Sequence, residues 1–85
     1  MDKEKMFDCI LKKLREIRSV NIVDTSISLF SEVYGYKPRD LLILYLYIED
    51  KFNVSLEELV DRVGTNSVDG IVKALEDMLM KENGE

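Results

Sequence analysis

Cys9 is the only thiol in the chain, histidine is absent, and no serine, threonine or cysteine occurs from Glu32 to Val54. These facts narrow the available chemistry. A Ser-His or Cys-His nucleophile needs an imidazole to take its proton, and histidine is the usual general base near neutral pH. One cysteine cannot close an internal disulfide and gives no metal-ligand spacing, so no metal site is expected. Cys9 becomes a reactive thiol only if nearby lysines lower its pKa; otherwise it is a small residue at a helix flank. The neighbouring carboxylates Glu57-Glu58 and Glu76-Asp77 point about 100° apart on a helix, which suits solvated faces rather than an acid-base pair. No catalytic residue is expected, and the chain is read as not an enzyme.

The 85 residues are enough for one domain, spanning 1–85, with a single core. Hydrophobic residues at 46% and charged residues at 34%, with one proline and four glycines, describe a globular, helix-forming chain. The formal charge of -5 is unevenly spread. Residues 1–20 carry six Lys/Arg against four Asp/Glu, a net +2, and residues 21–85 carry six against thirteen, a net -7. An acidic body repels a phosphate backbone, so nucleic acid is a poor candidate, no nucleic-acid partner is expected, and basic protein surfaces are favoured. The longest apolar run, Leu41 to Ile48, is far below the roughly 20 residues that span a bilayer. With no signal-peptide core, a cytoplasmic protein without membrane attachment is expected.

Apolar periodicity sets out the elements that carry these residues. Met6, Phe7, Ile10, Leu11, Leu14 and Ile17 form a helical stripe over about 3–18. Residues 21–36 break the period, because Asp24, Thr25, Ser26 and Ser28 offer side-chain hydrogen bonds that compete with a helix. This long loop should be anchored by Leu29, Phe30 and Val33 and turned by Gly35. Pro38 suits the first turn of a helix over 38–52. The run LLILYLYI would also fit a buried strand, but no second strand of similar strength exists to pair with it. Ser55 and Glu58 should form a capping box for a short helix over 56–63, with Gly64 as its C′ residue. Asn66 or Ser67 should cap the last helix, over 67–80, with fraying from about Lys81. The expected architecture is all-α, a small four-helix bundle with a long loop between its first two helices.

The order of these segments resembles the acyl and peptidyl carrier protein family over nearly the whole chain. Ser28-Leu29-Phe30-Ser31-Glu32-Val33 and Tyr34-Gly35 are similar to the segment that precedes the carrier attachment site. Ile48-Glu49-Asp50-Lys51-Phe52-Asn53-Val54 looks like the family's ending of the second helix, and Gly64 to Asp69 like the lead-in to its last. About one extra residue stands before the second helix and another before the last. The resemblance implies a carrier-type bundle whose attachment serine esterifies phosphopantetheine. Counting back from Phe52 puts Pro38 at that position, within Lys37-Pro38-Arg39. No register within two residues restores an aliphatic hydroxyl, so no phosphopantetheine and no other cofactor is expected. Two imitations are set aside. Asn66-Ser67-Val68 has Asp77 ten residues later, where the family is apolar, and Ser31 falls in the loop.

The resemblance also implies that the second helix is the surface partner enzymes recognise. At 100° per residue, Leu41, Leu44, Tyr45, Ile48 and Phe52 face the core, while Arg39, Asp40, Ile43, Leu46, Tyr47 and Asp50 face away. An apolar centre with a polar rim has the layout of a partner site. Either this face packs under the 21–36 loop, or it simply tolerates scattered apolar residues as protein surfaces do, or it docks a partner protein or biosynthetic enzyme, or it supports weak self-association. The expected partner-binding residues are Arg39, Ile43, Leu46, Tyr47 and Asp50. By analogy, such a carrier-related protein would serve bacterial peptide maturation or natural-product biosynthesis. A genuine carrier with an atypical attachment site, and an unrelated helical adaptor, stand as alternatives. The first is separable by chemistry: incubation with coenzyme A and a broad phosphopantetheinyl transferase is expected to leave the mass of the chain unchanged, and a gain of one arm would restore the carrier function.

Overall fold

The computed structural model describes the backbone of residues 2–84 and the side chains through Met80. Four helices follow one another: α1 (Lys3–Ile17), α2 (Pro38–Phe52), α3 (Leu56–Arg62) and α4 (Val68–Gly84). No strand occurs among the described residues, so the fold is the expected all-α four-helix arrangement. Each boundary lies within one residue of expectation except the end of α4, which continues to Gly84. The fraying expected from Lys81 falls among side chains outside the described set.

α1 begins at Asp2, whose Oδ1 accepts the Glu4 amide at 3.2 Å. Glu4 in its first turn and Arg15 in its last match the helix dipole. Its buried stripe is Met6, Ile10 and Leu14, at a spacing of four. α2 starts with Pro38 at its first position, and Asp40 Oδ2 accepts the Lys37 amide at 2.9 Å. It buries all five residues of the expected core stripe.

α1 packs against α2 and α4, and α3 packs against α2 and α4, so the helices form a closed ring around one core. Among the described residues, the backbones of α2 and α4 do not come into contact across this ring. They are linked through Tyr45, whose hydroxyl donates to Asn66 Oδ1 at 2.9 Å just before α4. Ile10, Leu14, Leu44, Ile48, Leu59 and Leu75 are fully enclosed at the centre.

The loop satisfies its own backbone through side chains. Asp24 Oδ1 accepts the Ser26 amide and hydroxyl, Ser28 Oγ accepts the Phe30 amide, and Ser31 Oγ accepts the Val33 amide. Those hydrogen bonds from Ser26 also hold the Asp24 carboxyl below its ordinary pKa. Of the three expected anchors, only Leu29 is buried; Phe30 is 41% exposed and Val33 72%. The consecutive serine turns send these two outward, and Tyr34 and Tyr36 take their place. A tyrosine can be buried there because its polar tip finds partners. Tyr34 Oη accepts the Asp24 amide at 2.9 Å and donates to the Asp24 carbonyl at 3.0 Å, while Tyr36 Oη donates to the Leu14 carbonyl at 2.9 Å. Between them Gly35 adopts φ +71°, as the turn requires.

Two helix ends depart from expectation. Ser55 Oγ accepts the Glu58 amide at 3.3 Å, but Glu58 turns to Arg62 at 3.0 Å rather than back to Ser55. Glu49 supplies a different acceptor from outside the helix, its Oε2 taking the Leu56 amide at 2.8 Å. Gly64 is not a left-handed C′ residue. α3 ends on Val63 in an extended conformation, φ -69° and ψ 115°, so no glycine is needed to reverse the chain. The left-handed terminus is Asn53 after α2, at φ 56°, a conformation that asparagine tolerates better than most residues.

Ser67 is the cap of α4, with its Oγ accepting the Gly70 amide at 3.1 Å. Gly70 lies so close to the preceding turn that an added Cβ would stand 2.2 Å from the Thr65 carbonyl oxygen. Gly70→Ala is therefore expected to destabilise the fold by about 1–3 kcal/mol through forced movement of that turn. A urea midpoint equal to wild type would contradict the contact.

Burial pushes the Tyr45 hydroxyl up to about 12. Below about pH 10, the value for a free tyrosine, folded and unfolded chains both keep the proton. As pH rises further the unfolded chain releases it first, so stability falls until the folded pKa is passed, by about 2–3 kcal/mol. Tyr36, also raised chiefly by burial, adds to the same trend. Tyr45→Phe should flatten the fall in urea midpoint between about pH 10 and pH 12; parallel curves for the two proteins would reject Tyr45 as its source.

Candidate functional site

The outer face of α2 is open. Leu42, Ile43 and Leu46 are 49%, 42% and 47% exposed, and Arg39 and Asp50 are exposed at its two ends. The 21–36 loop does not cover them. At 100° per residue, Arg39, Leu42, Ile43, Leu46 and Asp50 fall within an arc of about 100°, opposite the buried stripe. Its centre is aliphatic and its ends carry opposite charges. Neither Arg39 nor Asp50 joins an ion pair among the described residues.

Four of the five expected partner-binding residues therefore share this open face, and the fifth sits at its edge. Tyr47 is half-buried against α1, with Lys13 Nζ 5.2 Å from its ring centroid. Burial raises its pKa, and the neighbouring Cys9 and the charge of Glu16 add to the shift. Cys9 is itself half-buried, at the helix flank where its angle places it. Asp40 also leaves the outer face, half-buried and tied to the Lys37 amide. Leu42 was missed because it lies on the far side of the arc from Ile43 and Tyr47. Its angle, about 40° from Leu46, was the available signal.

The start of α2 offers Lys37, Pro38 and Arg39, all exposed, and none has a hydroxyl or thiol. The nearby serines have other work. Ser31 Oγ accepts the Val33 amide, and Ser67 is buried as the α4 cap.

Elsewhere a cleft of about 290 Å³ lies between α3 and α4, lined by Arg62, Thr65, Lys73 and Asp77 among others. It mixes charges of both signs and had no sequence signal. Among the described residues, no group of three or more His, Cys, Asp or Glu side chains stands close enough to hold a metal ion. No helix there is long and apolar enough to cross a membrane. Compared with protein-family models, curated proteins and solved structures, the chain gives no match.

Proposed function

We propose that the chain is a carrier-like, non-catalytic interaction protein that docks through the outer face of α2 onto a partner protein or biosynthetic enzyme, without phosphopantetheine. The observation that carries this reading is the open aliphatic centre of Leu42, Ile43 and Leu46 on a helix whose start has no hydroxyl. Covering those side chains supplies affinity, and the charged ends set register and orientation. The net -7 of residues 21–85 suits a partner whose surrounding surface is basic. The carrier resemblance supplies the wider setting: a cytoplasmic helper in bacterial peptide maturation or natural-product biosynthesis.

A pull-down with the full chain tests the face. Ile43→Asp puts a charge into the apolar centre and should lower partner recovery by about tenfold or more. Tyr47→Ala, at the edge, should lower it less. Val23→Asp removes an apolar side chain that is exposed in the loop and should leave recovery intact. Equal recovery with Ile43→Asp, Tyr47→Ala and wild type would remove α2 from the interaction.

A further inference from the structure

The exposed face of α2 has a pattern that is complementary to itself. Arg39 and Asp50 sit on one stripe, eleven residues and therefore about 16 Å apart along the helix. Ile43 and Leu46 lie symmetrically between them, and Leu42 closes the apolar centre on one side. We propose that this face pairs antiparallel with the same face of a second copy, about a two-fold axis between Leu44 and Tyr45.

In such a pair, facing positions run in opposite directions. Arg39 of each copy lies opposite Asp50 of the other, and Ile43 of each lies opposite Leu46 of the other. Two exposed ion pairs form at the ends and four aliphatic side chains meet at the centre. A two-fold interface requires one patch to complement itself in this way. A parallel pairing would set Arg39 against Arg39 and Asp50 against Asp50, which like-charge repulsion disfavours. The charge arrangement thus selects both the occupant and its direction.

The patch is small, below the roughly 1,200 Å² of a stable complex, so the pairing is weak, with a Kd of tens of micromolar to about 1 mM. The inference rests on the reading of this face as an association surface. It adds that the free protein covers the face with its own copy, and that a partner must displace that copy. Arg39 and Asp50 are exposed, and reversing either charge also favours the helix, since an acid near the N-terminus and a base near the C-terminus suit its dipole. Both variants should therefore fold.

Sedimentation equilibrium of the full chain up to about 1 mM tests the pairing. Wild type should dimerise with rising concentration. Arg39→Asp and Asp50→Arg alone should each weaken dimerisation roughly tenfold, because both end pairs become repulsive. Mixing these two single variants, or combining both changes in one chain, should restore it. A wild type that stays monomeric, or single variants that neither weaken alone nor recover on mixing, would overturn the proposal. The docking reading fails separately. If wild type is monomeric but Ile43→Asp still loses the partner, only self-pairing falls. If the dimer behaves as described while partner recovery ignores Ile43→Asp, self-pairing stands and partner docking falls.

Discussion

Leu29 is where three separated parts of the chain are fastened together. Its side chain is fully buried, its amide donates to the Asn66 carbonyl at 2.7 Å, and its carbonyl accepts the Tyr36 amide at 3.0 Å. One residue of the long loop therefore holds both the lead-in to α2 and the lead-in to α4. Tyr36 passes the constraint to α1 through the Leu14 carbonyl, and Asn66 passes it to α2 through Tyr45. A loop of this length would otherwise leave many backbone groups to water and let the helices rotate about their axes. Here it sets those rotations, and the rotation of α2 decides which of its faces is covered.

The helices were legible because their stripes obey a simple angular rule that burial enforces. Leu41, Leu44, Tyr45, Ile48 and Phe52 are all buried, and the same rule placed Ile43 and Leu46 outside. The loop was less legible, since no period governs it. Leu29, Phe30 and Val33 are equally apolar candidates, and the choice among them depends on where the Ser28 and Ser31 hydroxyls bend the backbone. The helix ends show a similar limit. A serine followed three residues later by glutamate satisfies the capping pattern, yet Glu58 has Arg62 one turn away and Glu49 can reach the same helix from outside. Sequence spacing identifies the groups able to cap, and the competition among them is settled in three dimensions.

Tyr47 shows how a neighbour changes the meaning of a position. Its angle on α2 lies between the two faces, and α1 decides the outcome by presenting Lys13 to the face of the ring. The ring thereby trims the open surface to a narrow aliphatic strip. Cys9 is half-buried on α1 at the helix flank that its angle gives.

A helix face can hold only one occupant at a time, and this gives the weakness of self-pairing a physical consequence. If the face were covered tightly by a second copy, a partner would have to overcome most of that affinity before gaining anything. If it were never covered, three neighbouring aliphatic side chains would remain open to indiscriminate association. Weak antiparallel pairing lies between these limits. As proposed, it would shield the strip when the chain is concentrated and yield to a partner whose contacts exceed one small patch. In the proposed pairing the opposite charges at the ends would do two jobs: they would close the homodimer in one direction, and they would ask of any competing partner a matching acid and base about 16 Å apart.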